Sequence, residues 1–157
     1  MKIIFRSIGV TAIVLFMTIY FFDGLFSNFS IVPANTSIES RIELLIEDGA
    51  AECEGDFSLT SKAVRVIELG ETGGSLTVLD EAEFKCSSSA SMYCGSGGCS
   101  VHFLLEKESM SPQVQGWEHK DGQLLLGQHG SVCGQVGTKV CYTTVTIKNG
   151  RFKFDAW

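Results

Sequence analysis

Val140-Cys-Tyr-Thr-Thr-Val-Thr-Ile-Lys148, with Asn149-Gly150 and Arg151-Phe-Lys-Phe154 behind it, is the passage that sets the fold class. β-Branched and aromatic side chains dominate its first half, and such residues suit a pleated, half-buried strand better than a helix. Asn-Gly is a preferred two-residue hairpin connection, because both central positions of a type I′ turn need positive φ. The passage predicts a strand over 140–147, a tight turn, and a returning strand over 151–154. Phe152 and Phe154 point the same way, so both rings are expected to pack under the sheet against an N-terminal helix.

The same two-residue period recurs upstream. Ala63-Val-Arg-Val-Ile-Glu-Leu69 and Leu76-Thr-Val-Leu79 flank a glycine-rich turn over 70–75 and predict a hairpin. Residues 100–107 read as strand, Ser109-Met-Ser-Pro112 breaks it, and 113–117 resume. Leu124-Leu-Leu126 continues after a turn at Lys120-Asp-Gly122. No helical period separates these segments, so the sheet is expected to be mostly antiparallel.

One helix precedes them, over 35–47. Ile38, Ile42, Leu45 and Ile46 recur at a spacing that places them on one helical face. Thr36 or Ser37 can cap its start, Thr36 with Glu39 fits a capping box, and Asp48-Gly49 is expected to end it. Glu39, Glu43 and Glu47 line one flank and read as a solvated face. The fold expected is α+β: one N-terminal helix packed on a mostly antiparallel sheet of about six strands, stapled by disulfides.

The first residues point to export. Lys2 and Arg6 precede an apolar run from Ile8 to Phe22 that ends at Asp23. A run of about 15 residues matches the core of a signal peptide and falls short of the roughly 20 that span a bilayer. Val32-Pro33-Ala34 places small residues before Asn35, the preferred mature N-terminus. Residues 1–34 then form the leader and 35–157 one periplasmic or extracytoplasmic domain. The alternative is an uncleaved inner-membrane anchor through residues 8–26. Loss of Lys2, Arg6 and Asp23 leaves ten basic and seventeen acidic residues, a net charge of −7. Such a surface repels nucleic acid and anionic headgroups and favours basic partners.

All six cysteines, Cys53, Cys86, Cys94, Cys99, Cys133 and Cys141, follow the leader. An even count in a short exported domain reads as three disulfides, although sequence alone allows 15 pairings. Cys133–Cys141 is the pairing preferred here, because Gly134, Gly137 and Thr138 can turn the chain between them. Cys86, Cys94 and Cys99 are expected to pair among themselves and with Cys53. The competing reading is a thiolate metal site at Cys94-Gly-Ser-Gly-Gly-Cys99 with His102 close behind, and an oxidising compartment disfavours it.

Tyr93-Cys-Gly-Ser-Gly-Gly-Cys99, then Val101-His-Phe-Leu104, Gly116-Trp117, His129-Gly-Ser-Val-Cys-Gly134 and Cys141 resemble a group of uncharacterised exported bacterial proteins. Those carry a CGSGGC-type motif followed by an HG-x-x-C segment. The resemblance covers about residues 53–154 and implies address and architecture, with no activity to transfer. Members often carry an Asp-x-Asn-Gly-Asp-Gly turn of calcium-loop type before the second strand. Here Glu68-Leu-Gly-Glu-Thr-Gly-Gly-Ser-Leu76 stands in its place, with too few oxygen side chains to surround an ion.

No catalytic set emerges from spacing. Gly95-Ser96-Gly97-Gly98 looks like the serine segment of chymotrypsin-like proteases, but no histidine precedes it and no Gly-x-Ser-x-Gly elbow occurs. The same glycines lack the lysine and helix of a phosphate loop. His102 is expected to face solvent or cap the Cys99 loop, and His119 to sit in a charged turn. His129 and Trp117 are the residues singled out for function. No metal or other cofactor is expected. The principal expectation is a binding or interaction module for a periplasmic protein or small ligand, with no nucleic acid, and with membrane contact only through an uncleaved leader. Two alternatives stand beside it: an inhibitor of a basic hydrolase such as lysozyme, and an enzyme centred on His129 with Glu118 or Asp121.

Overall fold

The computed structural model describes residues 36–70, 74–135 and 139–154. The expected leader, the middle of the 70–75 turn, the bend at Gly137 and Thr138, and Trp157, one of the aromatic residues that could line a sheet face, lie outside the described residues.

Helix α1 spans Ile38–Glu52, and the Ser37 side chain caps it by accepting the Ser40 N–H at 3.3 Å. It does not end at Asp48-Gly49 but continues to Glu52. Gly49 is buried, and a Cβ there would stand 2.6 Å from Cε2 of Phe84. Its carbonyl accepts the Tyr93 hydroxyl at 2.8 Å. This glycine lets a ring lie against the helix backbone. It is not a terminator.

The strands form antiparallel ladders throughout. β1 (Phe57–Leu59) pairs with β4 (Phe84–Cys86). A six-stranded sheet runs β2 (Val64–Glu68), β3 (Ser75–Asp80), β6 (Gly98–Leu104), β5 (Cys94–Gly95), with β7 (Ser109–Met110) and β8 (Gln113–Val114) also on β6. The segment expected to break at 109–112 thus pairs on either side of Pro112. A four-stranded sheet follows in the order β12 (Arg151–Phe154), β11 (Val140–Lys148), β10 (Gln123–His129), β9 (Gly116–Lys120). Its two hairpins turn at Asp121-Gly122, with φ of 50° and 74°, and at Asn149-Gly150, with φ of 54° and 67°.

Alternation along β3 and β6 explains the layering. Leu76, Val78, Val101 and Phe103 face the four-stranded sheet and pack with Val114, Leu124, Leu126, Val145 and Ile147. Leu79 points the other way and joins Ala63, Phe84 and the helix residues Ile42, Leu45 and Ile46. The order is helix, six-stranded sheet, four-stranded sheet. The central sheet is covered on both faces, so its inner strands carry nearly continuous buried runs.

Under α1 the rings of Phe57, Phe84 and Tyr93 meet edge to face, with centroids 5.3–6.0 Å apart. Phe152 and Phe154 do not pack there. Phe152 lies against the core between the sheets, and Phe154 is 63% exposed on the edge strand β12. The reason is that α1 covers the opposite face of the central sheet, so the six-stranded sheet stands between it and β12.

The disulfides are Cys53–Cys86, Cys94–Cys99 and Cys133–Cys141. The first ties the C-cap of α1 to the end of β4, and the second joins the two strands of the β5–β6 hairpin. Such bonds belong to an oxidising, non-cytoplasmic compartment. Among the described residues, no helix is long and apolar enough to cross a membrane.

Candidate functional site

The outer face of the four-stranded sheet carries a depression of about 290 Å³. Register creates it. Gly127 on β10 stands opposite Gly116 on β9 and Tyr142 on β11, while Leu125 stands opposite Glu118. Two glycines side by side remove two side chains from the sheet surface and leave a floor of bare backbone. Leu125, Val140 and Tyr142 wall it while remaining 39%, 41% and 62% exposed. Glu118 and Gln115 supply its polar edge. A Cβ on Gly127 would come within 3.3 Å of both Tyr142 Cε1 and Val140 Cγ1, whereas one on Gly116 would meet nothing within 4 Å. An exposed ring, apolar walls and one carboxylate suit a cation carried on an apolar stem, such as a lysine or arginine side chain.

A second cluster lies on the helix side of the central sheet. His102 on β6 is buried, at 9% exposure. Its Nε2 lies 2.8 Å from Glu81 Oε1, and its Nδ1 lies 2.8 Å from Ser111 Oγ. A carboxylate can only accept, so Nε2 carries the proton and Nδ1 accepts the serine hydroxyl in the neutral imidazole. Glu81 opens a 3₁₀ turn (Glu81–Glu83) directly after β3, and Leu79 pairs with His102, so the register brings the carboxylate over the ring. Burial explains the saturation of this histidine, since an unpaired polar nitrogen inside the protein costs free energy. Nearby, burial pushes the Tyr93 phenol above its ordinary pKa, and the charges of Glu52 and Glu81 add to the effect.

Trp117 faces inward from β9. Its indole N–H donates to Asp80 Oδ2 at 2.9 Å, its ring meets Phe103 edge to face at 5.3 Å, and Arg65 stacks on it at 4.1 Å. Asp80 also accepts Arg65 Nη2 at 2.9 Å and the Ala82 N–H at 3.1 Å. The tryptophan is therefore a pillar between the sheets, beneath the depression it also helps to line.

His129 ends β10 and caps the following 3₁₀ turn (Gly130–Cys133). Its Nδ1 accepts the Ser131 N–H at 3.3 Å and lies 2.8 Å from Ser131 Oγ. Asp121 sits in the turn at the other end of β10, roughly 20 Å of strand away. Glu118 pairs with Leu125, four residues short of His129, roughly 13 Å along the strand. The structure does not bring these three together. His119 is in strand β9, half-buried, rather than in a turn, and its Nε2 is buried without a hydrogen-bond partner. His102 is buried and does not face solvent, because α1 and the 3₁₀ turn after β3 cover that face of the sheet. Cys94 and Cys99 are bonded to each other, which removes the thiolates a metal site there would need. Among the described residues, no three His, Cys, Asp or Glu side chains converge on one point.

The chain matches no protein-family model, no curated protein and no solved structure. The sequence singles out Trp117, and Tyr142 is among the aromatic residues that could line a ligand-binding sheet face; the rest of the depression and the pairing of His102 are not foreseen from it. Val140 reads only as a strand residue, and the glycines 11 positions apart at 116 and 127 become neighbours only through the β9–β10 register. For His102 the signal was a histidine inside an apolar strand run, which demands partners if the strand is covered on both faces.

Proposed function

We propose that this chain is an exported, disulfide-stabilised binding module whose outer-sheet depression receives a lysine or arginine side chain of a partner protein. The observation that carries the reading is the exposed wall of Tyr142, Leu125 and Val140 over paired Gly116 and Gly127, with Glu118 beside it. Apolar groups left exposed together on a sheet face mark an interaction surface. The acidic balance of residues 35–157 steers a basic partner towards it. Export to the periplasm or the medium through the 1–34 leader accords with the three disulfides. Intact mass of the mature protein tests that step, with Asn35 expected as the first residue.

The binding test uses an arginine-rich peptide and its citrulline-substituted twin, titrated calorimetrically. Gly116→Leu fills the depression from a position with open space around it, and Tyr142→Ala removes its aromatic wall. Each is expected to weaken binding of the arginine peptide tenfold or more, and the citrulline peptide to bind as weakly. Equal affinity across both peptides, or across wild type and both variants, overturns the reading. A narrower form of the same proposal makes the partner a basic hydrolase such as lysozyme and the chain its inhibitor. Charge complementarity favours it, and unchanged lysozyme turnover in excess protein removes it.

A further inference from the structure

We infer that Ser111 is a nucleophile, activated by His102 and oriented through Glu81, that reacts with carboxylic esters. The three side chains form one continuous hydrogen-bonded line, from the hydroxyl of an exposed serine through a buried imidazole to a half-buried carboxylate. Ser111 is an exposed residue, the imidazole is the least accessible of the three at 11%, and the carboxylate is 22% accessible. This is the order a base-assisted nucleophile needs, with the reacting residue at the surface and the base held by a partner that stabilises its protonated form.

The backbone fixes the arrangement. Ser111 lies between β7 and β8, and both of these pair with β6, the strand that carries His102. Met110 stands opposite Phe103 and Gln113 opposite Ser100, so the serine is bracketed by ladders one residue before it and two after it. Pro112 restricts Ser111 to extended backbone, and the Pro112 carbonyl accepts the Val101 N–H at 3.1 Å. The hydroxyl is thus presented to the ring by a rigid bend. Relative to the common Ser–His–Asp triad, the two ring nitrogens exchange roles, since Nδ1 faces the nucleophile and Nε2 the acid.

The reaction balances with ester and water alone. Ser111 Oγ attacks the carbonyl carbon while its proton moves to His102 Nδ1. The resulting imidazolium keeps its Nε2–H on Glu81. The tetrahedral intermediate collapses, the bond to the leaving alkoxide breaks, and the Nδ1 proton passes to that oxygen to release an alcohol. Water, deprotonated by the same nitrogen, then attacks the acyl-serine, releasing the acid and restoring the serine.

The test incubates the folded, disulfide-intact protein with a fluorophosphonate and reads intact mass, with p-nitrophenyl acetate as the turnover probe. One adduct per chain is expected, mapped to Ser111 by fragmentation. Ser111→Ala changes an exposed residue and is expected to fold normally by circular dichroism while losing adduct and turnover alike. Glu81→Gln keeps the shape and removes the charge, and is expected to slow labelling at least tenfold. No adduct on the wild type, an adduct on another residue, or labelling unchanged in Glu81→Gln would each overturn the assignment. Binding of the arginine peptide is read on the opposite side of the molecule and is unaffected by Ser111→Ala, so either proposal can fail alone.

Discussion

Tyr142 and His102 both stand on strands, yet their surroundings are opposite. Tyr142 is on a sheet face that no other element of the described residues covers, and it is left 62% exposed beside Leu125, Val140 and two glycines. His102 is on a sheet face covered by α1 and a 3₁₀ turn, and both of its nitrogens have partners at 2.8 Å. Covering a face makes it costly to leave a polar group there unpaired, because water is no longer available to pair with it. Leaving a face bare imposes no such demand, and apolar surface there is free for another molecule. The covered side is therefore where substitutions should cost stability, and the bare side is where they should cost binding.

The contrast is tested most severely at Cys53–Cys86, which fastens the covering helix to β4. Replacing both residues by serine is expected to lower unfolding free energy by about 2–4 kcal/mol in urea titration, since the bond closes a long loop. His102→Ala comes next, at about 2 kcal/mol, because it leaves a hole in a covered site and takes the hydrogen-bond partner from the half-buried Glu81 carboxylate. A loss under 0.5 kcal/mol would mean that α1 does not exclude water from this face. Tyr142→Ala should shift the same transition by no more than about 0.5 kcal/mol. A larger loss would show that the bare face is part of the stabilising core.

The smallest effect expected is that of pH on Tyr93. Its folded pKa is raised, chiefly by burial, so the neutral phenol stabilises the fold below the unfolded value and that contribution is lost as pH rises through the folded one. Thermal melts of wild type should fall more steeply than those of Tyr93→Phe as pH rises above about 10. Parallel curves would place the Tyr93 hydroxyl in water rather than against the Gly49 carbonyl.

Gly49 shows where local reading stops. Asp-Gly after a helical period is a fair termination signal, and an isolated helix would obey it. In the folded chain Phe84, 35 residues later, occupies the space a side chain would need, so the glycine is used for contact and the helix runs on. The Phe152–Phe154 pair makes the same point. Alternation put both rings on one face, but which layer that face meets depends on the second sheet.

Periodicity, turn chemistry and cysteine count were enough to determine the helix, the hairpins at Asp121-Gly122 and Asn149-Gly150, and an α+β chain stapled by three disulfides. Each of those follows from a residue and its near neighbours, whose backbone preferences act wherever the segment sits. Tertiary structure alone decided that the strands divide into a covered sheet and a bare one. It also brought Gly116 beside Gly127 and set Glu81 and Ser111 on either side of His102. Those outcomes depend on which strand pairs with which and in what register, and that is fixed by the burial of the whole chain at once.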